Sequence, residues 1–174
     1  MKRIVTLTCA LGLAAVLAAP LRAQGNPRGT TSLTLGSATV SVEYGRPSLH
    51  GRTVDQMLGQ LPAGEVWRLG ADKSTTFTTT GDLDFGGVAV PKGVYSLWAR
   101  KEADNSWKLV FNSQHGQWGT NHDASKDAEA ASLTQSKAAS PAEQVTINLH
   151  KQGAGGRITI QWGDLELTGD FTAK

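Results

Sequence analysis

Two antiparallel sheets packed face to face, an all-β sandwich of jelly-roll-like type with at most one short helix, is the fold this sequence predicts. Three features predict it. Apolar and polar residues alternate in short runs, Gly, Pro, Asn and Asp cut those runs at short intervals, and helical spacing of apolar residues is confined to one short stretch. Side chains on a strand point alternately to opposite faces, so a half-buried strand must alternate in this way, and many short strands with regular turn signals make a sandwich or barrel.

The N-terminal segment stands apart from that pattern. Met1-Lys2-Arg3 is a short positive start, an apolar Ala- and Leu-rich run follows to Leu17, Pro20 breaks it, and Ala23 offers a small residue for cleavage. This is the grammar of a secretory signal peptide, expected over residues 1–23. Residues 24–29 (Gln-Gly-Asn-Pro-Arg-Gly) have the composition of a flexible leader, and residues 30–174 form one domain. The apolar run is too short to span a bilayer as a helix, which takes about 20 residues. Cleavage would remove Lys2, Arg3 and Arg22 from the 17 basic residues, so the 15 acidic ones then prevail and no cationic stripe for nucleic acid remains. Cys9, the single cysteine, lies inside the apolar run without the small preceding residue of a lipidation site. The mature chain is therefore expected to be cysteine-free, without disulfides, thiolate nucleophiles or cysteine-bound zinc, and no cofactor is expected. The expected destination is the periplasm or the exterior.

The elements follow in order. Val40, Val42 and Tyr44 share one face, with Ser41 and Glu43 on the other. Thr53 opens a stretch with Val54, Met57, Leu58 and Leu61 at helical spacing, closed by Pro62. Trp67 and Leu69 alternate with Val66 and Arg68, and residues 75–80 are a β-branched run around Phe77. Residues 82–90 read as two strands about Gly86-Gly87, and Pro91-Lys92-Gly93 is a turn. Residues 94–101 and 107–112 look like an antiparallel pair. Val145, Ile147 and Leu149 alternate, as do Ile158, Ile160 and Trp162, after which Gly163-Asp164 is expected to turn the chain into Leu165. Residues 123–140 are Ala-rich, and propensity alone favours a helix there.

Several blocks resemble one family. Val42-Glu43-Tyr44-Gly45-Arg46-Pro47-Ser48, Gly51-Arg52-Thr53 and Val66-Trp67-Arg68-Leu69-Gly70-Ala71 are followed by Val90-Pro91-Lys92-Gly93-Val94-Tyr95-Ser96-Leu97, Trp107-Lys108-Leu109-Val110-Phe111-Asn112 and Gly116-Gln117-Trp118-Gly119-Thr120. In this order, over about residues 30 to 170, they are similar to the exported bacterial family catalogued as domain of unknown function 2911 (DUF2911). The resemblance implies a secreted or periplasmic β-sandwich and no established activity. It also implies a strand over residues 127–136, against the local alanine bias. Asp72 stands where the family usually has Asn, Lys73 where Glu or Ala is common, and His122 where Tyr is common, so no role for these three carries over.

Three sets of residues could hold a ligand. Arg46, Arg52, Arg68 and Asp72 flank turns, and the planar fork of arginine suits carboxylates, phosphates and sugar hydroxyls. The same arginines could equally clamp loop carbonyls and carboxylates. Trp98 shares a strand face with Ser96 and Arg100, and Trp118 sits in a Gly-rich loop; either could stack on a sugar ring or pack against the protein. Trp67, Trp107 and Trp162 fall on apolar faces and belong to the core. His50, His115 and His122 lie near these loops, but no spacing forces them together, so no metal site is expected. His150 faces away from its apolar neighbours. Ser48 lacks the Gly-x-Ser-x-Gly elbow of a serine hydrolase.

The leading expectation is a non-enzymatic binding or accessory module for a carbohydrate or an anionic small molecule, with neither nucleic acid nor a membrane span. One alternative is a small hydrolase or isomerase using Asp72, His50 or His122 as acid and base. Another is a structural module docking to an envelope protein through its β surface.

Overall fold

The computed structural model describes residues 25–174. The expected signal peptide lies outside the described residues. The strands are β1 (Arg28–Leu35), β2 (Ala38–Gly45), β3 (Val66–Trp67), β4 (Thr75–Thr79), β5 (Leu83–Phe85), β6 (Val88–Val90), β7 (Gly93–Lys101), β8 (Trp107–Asn112), β9 (Asp127–Gln152) and β10 (Gly155–Ala173). A single helix, α1 (Val54–Leu58), and a 3-10 turn at Ala124–Lys126 complete the described chain. No helix among the described residues is long and apolar enough to cross a membrane.

The ladder runs β1-β2-β4-β7-β8-β9-β10-β5-β6, antiparallel at every step. Its two faces come from the length of β9, whose 26 residues pair with β8 as far as Leu133 and with β10 from Thr134 onward. The ladder thus folds over on itself at β9, and the inward residues of both layers meet. Phe77 of β4 and Phe111 of β8 contact Phe85 of β5 at 6.3 and 5.1 Å between ring centroids, and Phe171 of β10 stacks on Phe85 at 4.9 Å. At the other end Trp162 of β10 stacks on Trp67 of β3 at 5.7 Å, with Trp107 edge-on to Trp67. The all-β sandwich with one short helix is therefore what forms, because period-two burial (β2 reads buried, half-buried, buried) commits each strand to a single register.

Beyond Leu133, the edge of β9 that faced β8 would be bare, and an unpaired strand edge leaves backbone groups unsatisfied. Side chains from β1, from β2 and from Arg46 just after it close it. Leu149 N donates to Thr31 Oγ1 at 3.1 Å, Tyr44 Oη donates to Ile147 O at 3.2 Å, and Arg46 Nε donates to Val145 O at 3.3 Å. The chain after β2 then joins directly, Val145 N donating to Pro47 O and Leu49 N to Glu143 O.

Residues 127–136 are strand, as the resemblance implied and local propensity opposed. The alanines are tolerated because pairing with β8 and β10 outweighs helix preference. Helix α1 forms within the expected stretch but ends at Leu58, short of Leu61, with Thr53 and Gln56 completing a capping box. Strand β1 opens at Arg28, so Arg28 and Gly29, read as leader, pair with Gly45 and Tyr44. The expected turn at Gly163-Asp164 is not one: β10 runs straight through it. Gly163, at φ +57°, sits in a break of register in which Ala142 pairs Gly163 and Lys137 pairs Leu165, so residues 138–141 bulge opposite Asp164. A Gly-Asp pair signals a backbone free to take positive φ, which serves a bulge as well as a reversal.

Candidate functional site

Strands β3 and β4 both pair with the same edge of β7, Trp67 opposite Ala99 and Thr75 opposite Leu97. The seven residues between them must leave the sheet and return, and that excursion carries Arg68 and Asp72. Leu69 (φ +54°) and Asp72 (φ +63°) both take the left-handed conformation that non-glycine residues avoid. Surrounding contacts hold them there. Thr75 Oγ1 donates to the carbonyls of Arg68 and Leu69, Asp72 Oδ2 accepts from Asn26 N at 2.8 Å, and Gly45 lies so close that a Cβ there would collide with the Ala71 carbonyl.

The second component follows β8. Residues 113–126 lie over the outer face of β7 and β8 and bury it. Trp98 is only 2 % exposed although it is on the face opposite the inward Leu97 and Ala99, and Ser96 and Asn112 are wholly buried beside it. These groups are all satisfied. Ser96 Oγ donates to Gln114 O (2.7 Å) and accepts from Trp98 Nε1 (2.9 Å) and Gln117 Nε2 (3.2 Å). Asn112 Nδ2 donates to Asp123 O and Asp127 Oδ1, both at 2.8 Å, and its Oδ1 accepts from Gln114 N. His122 Nε2 lies 2.9 Å from Asp127 Oδ1, with its ring tilted against Trp98 at 4.7 Å. The Ser125 hydroxyl and then the Ser125 amide hold the Asp123 carboxyl below the usual carboxylate range, fixing the turn that leads into β9.

The two loops lock together. Ser74 N donates to Gln117 O (2.9 Å), Gly119 N donates to Asp72 O (2.7 Å), and Lys73 bridges Trp118. The Arg68 stem runs under Gly119, where a Cβ would come within 3.2 Å of Arg68 Cδ and 2.8 Å of Asp72 O. On top of this seam the Trp118 side chain stands out, 53 % exposed, the most exposed large apolar side chain among the described residues. No described residue accepts a hydrogen bond from the Arg68 guanidinium, and Lys73 is exposed. The exposed indole and the exposed Lys73 therefore face out from one seam, with the half-buried Arg68 beneath Gly119. A ring can stack on the first, and a carboxylate or hydroxyls can bond to the second.

The eight candidates from the sequence fall into two groups. Arg68, Asp72, Trp98, Trp118 and His122 come together on the outer face, in roles of different kinds. Trp118 is presented, and Arg68 is half-buried beneath Gly119 with no acceptor for its guanidinium among the described residues. Trp98 and His122 are foundation, since a tryptophan buried to 2 % offers no ring to a ligand. Asp72 is engaged by Asn26 and pairs with none of the three arginines among the described residues. Arg46, His50 and Arg52 instead belong to the β9 seam. Arg46 bonds Val145 O and Thr146 Oγ1, His50 N donates to Glu143 Oε1, and Arg52 Nε donates to Leu49 O at 2.8 Å. Ser96, Asn112, Gln117 and Asp127 were not singled out by sequence. The available signal was the polar residue two before Trp98 on the same strand face.

For acid/base chemistry the site holds one pairing, His122 with Asp127, and no hydroxyl bonded to that histidine; the Ser96 proton is committed to Gln114 O. Among the described residues no three His, Cys, Asp or Glu side chains converge to hold a metal.

Comparison with curated proteins and with solved structures gave no match. A family model matches residues 26–170, a span that contains both loops, β9 and nearly all of β10, so the chain belongs to the family described as a protein of unknown function, DUF2911.

Proposed function

We propose that the chain is exported and works in the periplasm or outside the cell as a non-enzymatic binding module, taking a carbohydrate or an anionic small molecule on the ridge of Trp118, Arg68 and Lys73. One observation carries this reading: an indole more than half exposed stands on a loop whose underlying polar groups are all paired. Exposing that much apolar surface forgoes about 25 cal/mol for each Å² left in water. A loop so firmly built beneath an exposed ring is organised before any ligand arrives, which lowers the ordering cost of binding.

The test is a thermal-shift screen of the purified protein against neutral sugars, acidic sugars and small organic anions, repeated on Trp118→Ala. A stabilising compound that loses its effect in the variant, while the variant's own Tm is unchanged, supports the reading. Compounds that stabilise both proteins equally, or none that stabilise either, contradict it. For export, mass spectrometry of protein recovered outside the cytoplasm should find a mature N-terminus close to Gln24. An intact Met1 would contradict the signal-peptide expectation.

A further inference from the structure

A second concavity lies away from the Trp118 ridge, where the β9–β10 ladder breaks. It has a volume of about 510 Å³, within the range of small-molecule sites. Helix α1 gives one wall, the turn between β7 and β8 another, and the bulged stretches of β9 and β10 the third. Bulges of this kind re-aim side chains and often border functional sites. Here they turn Lys137 and Asp164 into the cleft lining.

The lining divides cleanly by chemistry. Val54, Leu58, Trp107 and Leu165 supply apolar surface. Trp107 is already satisfied by Gln135 Oε1 at 3.0 Å, so its indole adds area without a polar demand. Two ammonium groups, Lys101 and Lys137, and two carboxylates, Asp55 and Asp164, complete the lining with Asn105, Gln135 and Ser136. Lys137 and Asp164 are loosely paired at 3.7 Å and largely exposed. Lys101 and Asp55 have no ion-pair partner among the described residues.

A cleft lined by both signs in equal number disfavours a simple anion, which meets Asp55 and Asp164, and a simple cation, which meets Lys101 and Lys137. A ligand bearing one charge of each sign answers both pairs, and an apolar body between them covers the floor. We propose that this cleft binds a small zwitterion with an apolar body, of the size and chemistry of a short peptide with free termini. The carboxylate bonds to Lys101 and the ammonium to Asp55, the two lining charges without an ion-pair partner among the described residues. The proposal stands independently of the Trp118 ridge, with which the cleft shares no lining residue.

The test uses L-leucyl-L-leucine as probe, with its N-acetyl and C-amide forms as charge-deleted controls. Binding is followed by isothermal titration and by the side-chain amide signals of Asn105 and Gln135, both in the lining. Saturable binding of the free dipeptide is expected, weakened about tenfold by either cap, since a hydrogen bond to a charged group is worth that much. Lys101→Met should weaken the free dipeptide about as much as the C-amide does, and Asp55→Asn about as much as the N-acetyl cap, because each deletes one partner of the same pair. Trp118→Ala should leave it unchanged. Both mutated side chains reach solvent, so the variants keep the fold. No saturation at millimolar dipeptide, equal binding of the capped forms, or unchanged binding by both cleft variants would overturn the proposal.

Discussion

Asn112→Ala removes the residue on which the loop beneath Trp118 depends. The side chain is 0 % exposed and makes three bonds: to Asp123 O at 2.8 Å, to Asp127 Oδ1 at 2.8 Å, and from Gln114 N at 2.9 Å. The bond to the carboxylate is worth about 1.5–3 kcal/mol and each neutral one about 1 kcal/mol. Their sum is an upper bound, because Asp127 keeps His122 and the loop can rehydrate at its outer side. The expected loss is about 2–4 kcal/mol in urea unfolding, the range of a broken buried network. A local signature should accompany it. Amides of residues 113–126 should exchange faster, while those of β9 at Thr146–Gln152 and of its β10 partners at Gly155–Gln161 keep their protection. A loss under about 0.5 kcal/mol, the size of a neutral surface change, with unaltered exchange in the loop, would refute the reasoning.

Other outcomes follow from the same geometry. Arg46→Ala should cost about 1–3 kcal/mol, since it orphans the Val145 carbonyl at the β9 seam, whereas Arg68→Ala should cost under about 1 kcal/mol and act on ligand binding instead. Chemical denaturation of both variants checks this, and the reverse ranking would exchange their roles. Four carboxyls sit below their ordinary value of 3.8 when folded: Asp84 through the Gly87 amide, Asp104 and Asp123 through the hydroxyls of Ser106 and Ser125, and Asp170 through Arg157. A depressed folded value means stability is present above pH 3.8 and is lost as pH falls through the folded values, so Tm should decline below about pH 4. Burial pushes Tyr95 above its ordinary 10.0, so that its contribution is present below pH 10 and lost above it. A Tm that rises on acidification below pH 3.8 would contradict the first of these assignments.

Much of the fold was legible because alternation is a direct imprint of burial. Val40, Val42 and Tyr44 read as one face and are one face. The helical spacing of Val54, Met57 and Leu58 marked the helix. What alternation cannot carry is the distance between strands. Gly163-Asp164 looked like a reversal because the φ freedom of glycine is local, and whether the chain turns back is decided by its pairing with β9. Likewise Arg46 and Arg68 both flank turns and read as one candidate set. The first faces β9 and the second lies under Gly119, a separation set by β3 and β4 sharing an edge of β7. Within the site, Trp118 was legible from its glycine neighbours. Ser96 and Asn112 were not, because a polar residue on an outward strand face ordinarily meets water, and here a loop from farther along the chain covers it.

Ligand binding at the Trp118 ridge carries the proposed function. Movement of the Trp118 indole N–H signal in a titration of ¹⁵N-labelled protein with neutral and acidic oligosaccharides and small organic anions tests it most directly. Saturable movement of the Trp118 signal by at least one compound is expected, together with the Arg68 side-chain signal, while the buried indoles of Trp98 and Trp162 stay fixed. A Trp118 signal that neither an oligosaccharide nor a small organic anion moves would contradict it.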